Sequence, residues 1–247
     1  MRIKYTGVIV IAVLILIGVV ILLPIYFQQL PRPTVMLSFN IINNENIPKW
    51  CIDLASILQK HDIKATVFIT GELAESYPNC VTLFSSKNTV DIGSSTYNYS
   101  DLAPVSDYSK SLEEIKSGKI TVDIIGDIDS KVFRAPYGST DENIYSLLTN
   151  SGILADFSYT YQYNKYENGQ FIKYDMIAYD GSNSSSLTEL SKSLPSTKKP
   201  VMVNFDNSVP VSQIDSFIAG TKSKISDVDF TNASELTNLL LTVRKNV

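Results

Sequence analysis

Histidine is the scarcest chemistry-bearing residue in this sequence: 247 residues contain one, at position 61. A hydrolytic zinc centre ordinarily draws two or three histidines, so the composition argues against a histidine-built metal site. His61 itself falls at the end of a predicted helix beside Asp62, where an exposed helix-end side chain is the simpler reading than a ligand. Only two cysteines are present, too few for a cysteine-rich metal or disulfide scaffold. Basic residues are outnumbered, 21 Lys and Arg against 25 Asp and Glu, and form no dense cluster, which excludes a nucleic-acid footprint. There is one tryptophan against fourteen tyrosines. The chain has no internal repeat and no low-complexity tract, which excludes a solenoid.

What the chain does have is one long apolar run. Residues 5–27, YTGVIVIAVLILIGVVILLPIYF, carry no charge and are long enough as a helix to cross a bilayer. The run predicts a transmembrane anchor. Arg2 and Lys4 precede it, so the positive-inside rule puts residues 1–4 in the cytoplasm and the rest outside, a single-pass membrane protein with an extracytoplasmic domain. A cleaved signal peptide is the competing reading, but PIYFQQLPRP offers no small-x-small cleavage site. Residues 28–33 form a short stiff linker, and one domain is expected over 34–247. Outside the cytoplasm Cys51 and Cys80 would oxidise to a disulfide; two buried free thiols are the alternative. N-x-S sequons at Asn98, Asn183 and Asn232 fit an exported domain but arise often by chance.

Beyond the linker, strand and helix alternate. Strands are predicted at 34–39, 63–69, 89–93, near 153–159, at 200–205 and 228–230, with another ending at Val132 and Phe133. Helices are predicted over 48–61, 73–84, 106–124, 141–150, near 187–194, near 213–220, and over 234–244 with Thr231 as cap. About seven βα units without a long break imply a closed or nearly closed parallel barrel. Residues 159–181 interrupt the pattern with hairpin-like sequence around Glu167, Asn168 and Gly169. Tyrosines 159, 161, 163, 166, 174 and 179 there could stack on pyranose rings, or be strand residues with one face exposed.

The segment KVFRAPYGST, residues 131–140, concentrates the chemistry. Val132 and Phe133 end a buried strand, Arg134 projects where it opens, and Pro136 with Gly138 shapes the loop. A strand end, a rigid loop bearing a cation and a following helix start are how α/β barrels present active-site groups. An ordinary βα turn whose arginine pairs with a carboxylate is the plainer reading.

Together these segments resemble the polysaccharide deacetylase family, the NodB-homology or carbohydrate esterase 4 domain. The resemblance rests on HDIKATVFITGELAESYP at 61–78, VDIGSSTYNYSDL at 90–102, VFRAPYG at 132–138, PVMVNFDN at 200–207 and DFTNASELTNLL at 229–240. It implies a distorted (β/α) barrel and a divalent metal such as zinc or cobalt. It also implies a general-base aspartate and a metal-ligand aspartate at Asn40 and Ile41, two histidine ligands at Ser95 and Tyr99, and a late-strand histidine at Asn204. None of those types stands there. Arg134, Pro136 and Tyr137 remain, with the Tyr137 backbone as the family's oxyanion contact. Arg134, deprived of the aspartate it typically steers, is expected to bond the Asn40 carbonyl or an anionic ligand.

Isoleucine has no donor atom, serine is weak, and tyrosine must lose a proton of pKa near 10. No cofactor is therefore expected. Asp91, Asp101 and Asp206 lie in or beside the motifs; they could gather around calcium or magnesium, or serve as solvated loop acids and caps. The resulting expectation is a membrane-anchored pseudoenzyme that binds cell-envelope polysaccharide through Tyr97, Tyr99, Arg134, Tyr137, Tyr159 and Tyr161. One alternative is a hydrolase acting on carbohydrate amide bonds through a relocated site. Another is a structural partner of an envelope protein complex with the old groove closed.

Overall fold

The computed structural model describes residues 32–42, 46–103 and 107–238. The predicted anchor at 5–27 and positions 239–244 of the predicted last helix lie outside the described residues. Strand β1 (Thr34–Ile41) is the centre of the sheet and shows how the chain builds two cores from one strand. Its alternate residues Val35, Leu37, Phe39 and Ile41 enter the larger apolar cluster, with residues of the surrounding helices. Met36 turns the other way, into a second cluster with Phe68, Val132, Phe157 and Met202. A period of two with both faces buried is what a parallel strand covered on both sides requires.

The strands β2 (Ala65–Ile69), β3 (Val90–Ser94), β4 (Val132–Phe133) and β5 (Ala155–Asp156) follow β1 in parallel on one side. On the other side lie β9 (Val201–Asp206) and β8 (Ile177–Asp180), also parallel, while β10 (Asp229–Thr231) pairs with the start of β1. An antiparallel hairpin, β6 (Gln162–Glu167) and β7 (Gln170–Asp175), extends the sheet beyond β5. Its turn places Asn168 and Gly169 at φ 51° and 90°, the paired left-handed geometry that an Asn-Gly turn favours. The two ends of the sheet approach one another: the Ala178 N–H donates to the Thr160 carbonyl at 2.9 Å and the Met176 N–H to that of Tyr161 at 3.0 Å. The result is a nearly closed barrel.

Helix α1 (Ile47–His61) turns Trp50, Leu54 and Leu58 onto the sheet. The predicted helix over 73–84 is two helices, α2 (Gly71–Ser76) and α3 (Pro78–Ser85). Pro78 excludes helical geometry from the residue before it, and Tyr77 sits at φ −132° in the break. Helices α4 (Tyr108–Gly126), α5 (Ile144–Asn150), α6 (Ser184–Ser193) and α7 (Val211–Lys224) match expected segments, with shifted ends. The strand expected near 153–159 keeps only two ladder residues, and β8, which no apolar run announces, lies within the stretch taken for an interruption. The last helix, α8 (Ala233–Leu236 as described), is capped by Asn232 rather than Thr231: the Asn232 side chain accepts from the Glu235 N–H at 2.9 Å.

Cys51 of α1 and Cys80 of α3 are both buried and joined in a disulfide, with a Cα–Cα separation of 5.7 Å. Closing this loop restricts the unfolded chain and is expected to stabilise the domain by roughly 3 kcal/mol. In urea titrations, the Cys51→Ala/Cys80→Ala variant should lose about that much, whereas an unchanged midpoint would show that the bridge contributes nothing.

Candidate functional site

The strand ends converge on a cleft. β1 delivers Asn40 and Ile41, β2 delivers Phe68 and Ile69, and β9 delivers Asp206; Ser95 and Tyr99 come from the loop after β3, and Arg134 to Gly138 from the loop after β4. These residues line a cavity of about 180 Å³. Every one lies at or beyond the C-terminal end of its strand, where parallel α/β sheets gather functional groups.

Arg134 is held on the barrel side of the cleft. Its N–H donates to the Ser94 carbonyl at 3.1 Å, and Nη1 donates to the Phe157 carbonyl at 2.6 Å. Burial pushes its pKa down to about 10, opposed by the charge of Asp156, so it remains a cation at neutral pH. Asp156 is the functional-site residue that the sequence reading missed. Its side chain is fully enclosed, and burial raises its pKa to about 6 against the pull of Ser158 and Arg134. Oδ1 accepts from the Ser158 N–H at 3.0 Å and from the Ser158 hydroxyl, which in turn accepts from the Ala135 N–H at 2.8 Å. Asn164, opposite Asp156 in the β5–β6 register, also opposes the rise in its pKa. The available signal was a lone acid inside the apolar run ILADF.

This chain of bonds fixes the turn Pro136–Gly138. Tyr137 lies in its middle at φ 59°, and across the cleft Tyr99 is at φ 54°. Left-handed backbone at two bulky residues of one cavity is strain held in place by the surroundings. Their rings meet edge to face with centroids 4.9 Å apart, and Tyr137 is 73% exposed. Burial and the Tyr137 phenol hold the Tyr99 hydroxyl above its ordinary pKa, opposed by the Tyr137 backbone and by Arg134.

The donor set does not fit zinc or cobalt. Ile41 belongs to the apolar core, Ser95 is a buried neutral hydroxyl, and Tyr99 keeps its proton. Nor does Asn40 take over the arginine: its Nδ2 leans toward the Phe205 carbonyl at 3.5 Å, and the guanidinium bonds Phe157 instead, correcting the expected Arg134–Asn40 contact. Asp206, not Asn204, is the β9 residue lining the cleft; Asn204 is two positions earlier, in register with Ser38. The three acids do not gather. Asp91 accepts from the Ser234 N–H at 2.6 Å, Asp101 accepts from the Ala103 N–H at 3.0 Å, and Asp206 is bonded to Ser208.

The tyrosines divide likewise. Of those expected to meet a glycan, Tyr99 and Tyr137 line the cavity. Tyr97 donates from its hydroxyl to Glu75 at 2.9 Å, and neither it nor Tyr159 and the exposed Tyr161 belongs to the lining. The hairpin tyrosines make no common wall: Tyr163 stacks between Phe157 and Tyr174, and Tyr166 meets Phe171 edge to face.

Between its unfolded value of 3.8 and about 6, Asp156 binds a proton more readily in the native state, so its contribution to stability falls as pH rises through that window. Asp156→Asn removes the slope. Melting curves from pH 4 to 7 should show the variant gaining on the wild type with rising pH; a constant difference would show that Asp156 does not titrate there.

The polysaccharide deacetylase family profile matches residues 28–155, more than half of the chain. A peptidoglycan-N-acetylglucosamine deacetylase of Bacillus cereus is 37% identical over 86 residues, 35% of this chain but only 30% of that protein's length. Among solved structures, a carbohydrate esterase family 4 pseudoenzyme from Bacillus anthracis aligns with a TM-score of 0.63 at 16% identity, covering 84% of this chain and 66% of that one. A family 4 carbohydrate esterase from Streptomyces lividans in complex with acetate aligns at 0.59 and 15% identity, over 81% and 92% of the two chains. At such identities the structures speak to fold alone. With the motifs, the barrel and the matched span in agreement, the chain belongs to the polysaccharide deacetylase family.

Proposed function

We propose that this domain is a non-catalytic member of its family, anchored in the cell membrane by residues 5–27, that binds cell-envelope glycan on the extracytoplasmic side. One observation carries the reading. The cleft keeps its Arg134–Gly138 wall and an open cavity of about 180 Å³, while Asn40, Ile41, Ser95 and Tyr99 supply neutral or apolar groups where the resemblance calls for a base and metal donors. Hydrolysing an amide without a metal needs a base and a nucleophile near neutrality. An asparagine amide is neither, the enclosed Asp156 faces the barrel network rather than the cavity lining, and Asp206, the carboxylate among the lining residues, already accepts from the Ser208 N–H and hydroxyl. The Bacillus anthracis relative is itself a pseudoenzyme, and a mutant of it with restored enzymatic activity aligns with this chain at a TM-score of 0.63. Its fold therefore accommodates both states, which supports a silent site on an intact scaffold.

Binding and turnover are separable in solution. Calorimetry with N-acetylglucosamine oligosaccharides should show saturable binding that Tyr137→Ala weakens about tenfold, the loss of one aromatic contact worth about 1.4 kcal/mol. Acetate release should stay at background with zinc, cobalt or chelator. Metal-dependent release abolished by Arg134→Ala would overturn the reading in favour of a hydrolase with a relocated site. Absence of both binding and release would favour a structural envelope partner.

A further inference from the structure

We propose that helix α4 carries a self-complementary face on which two copies of this chain pair, their α4 helices antiparallel across a two-fold axis. The inference is independent of the glycan-binding reading, since it uses the outer surface of the barrel and no residue of the cleft. Ile120 and Ile124 are 54% and 75% exposed, although the same helix buries Ile115 and Val122 completely on its other side. Each of the two lies two positions from Val122, and at about 100° per residue both point away from the core. A single exposed isoleucine is ordinary. Two of them one turn apart make a continuous apolar ridge that faces solvent.

The charges beside the ridge identify the partner. Along this stripe the order is base, apolar, apolar, acid: Lys116, Ile120, Ile124, and Asp127 at the helix C-cap. Lys116 and Asp127 enter no ion pair among the described residues, whereas Lys119 and Asp123 of the same helix are paired, and Asp129 holds both Lys119 and Lys131. Turning a second copy end for end about the midpoint of the two isoleucines sets Ile120 of each against Ile124 of the other. It also brings Lys116 of each beside Asp127 of the other, because one precedes that midpoint by six positions and the other follows it by five. The same patch then serves both copies, as a two-fold interface requires. A parallel pairing would set lysine against lysine, while the antiparallel one also lays opposite ends of the helix dipoles side by side. Helices α3 and α5, which pack against α4, contain no charged residue, so the flanks add no repulsion. The apolar centre is small, which puts the pair among weak, transient interfaces.

Sedimentation of the full chain in detergent solution at low ionic strength reads the pairing. The wild type should pass from monomer to dimer over the micromolar range, and Ile120→Asp/Ile124→Asp should raise the dissociation constant about tenfold. Lys116→Glu and Asp127→Lys should each weaken pairing about threefold, and the two together should recover it. Asp127 sits at φ 50°, so Asp127→Asn, which tolerates that backbone, should weaken pairing in the same direction without strain. An Ile120→Cys chain mixed with an Ile124→Cys chain should cross-link to the other faster than either does to itself. A wild type that stays monomeric throughout, or a dimer that Ile120→Asp/Ile124→Asp leaves unchanged, as one held by residues 5–27 would be, would overturn the proposal. So would a charge exchange that recovers nothing, or cross-linking of like cysteines in preference to unlike ones.

Discussion

A guanidinium inside a barrel must be compensated, and the way Arg134 is compensated determines the shape of the cleft. Its charge lies beside Asp156, its Nη1 bonds the Phe157 carbonyl, and its backbone closes on Ser94 of β3. The carboxylate in turn holds Ser158, and Ser158 holds the Ala135 N–H. Three strands and the Pro136–Gly138 turn are thereby tied to one buried charged network. Arg134 and Asp156 act on one another through space, without a direct ion pair among the described residues, and removing either charge leaves the other buried without that compensation. Gly138 completes the arrangement: at φ 65° it brings the turn so near Ser158 that an added Cβ would lie 2.7 Å from the Ser158 carbonyl oxygen.

None of that network passes through the end of β1. Asn40 and Ile41 can therefore lack carboxylates without disturbing the arginine, the turn or the tyrosine above it. Ile41 gains by the change, since it is almost fully enclosed in the larger apolar cluster, and burial of such a side chain contributes about 1.5–3 kcal/mol. A carboxylate in its place would need a cation nearby to offset its desolvation. The wall of the site and its catalytic groups are thus separate structural units, and a chain can keep one without the other.

The same separation explains what could be read from the sequence. Short continuous apolar runs such as TVMLSF and KATVFI declare buried strands whatever the function, and VFRAPYG declares a turn through proline and glycine; these gave the barrel and the cleft wall. Depth along a strand is harder to read. Asn204 and Asp206 share a face of β9, and only the register with β1, which sets Asp206 against Asn40, decides which one reaches the cavity. Asp156 was hidden because its meaning depends on Arg134, a partner 22 positions earlier in sequence, and its own strand pairs over just two residues. The hairpin tyrosines stayed open between two readings for a related reason: alternation announces two faces but not which face meets the barrel, and Tyr163 turned inward to stack on Phe157.

The break at Tyr77 shows how a local rule reaches the surface. Pro78 prevents one continuous helix, and the interruption leaves Tyr77 lining a cavity of about 420 Å³ that Leu73, Tyr99 and Tyr137 also border. Cys80, two residues on, is bonded to α1, so the break cannot relax by drifting from the barrel. The disulfide and the Arg134–Asp156 network therefore anchor different parts of the lining: the first the segment carrying Leu73 and Tyr77, the second the turn carrying Tyr137. A groove whose walls are each anchored in the core is already shaped before anything enters it, so the affinity of any ligand would depend on the rings and polar groups presented and would require little reordering of the protein.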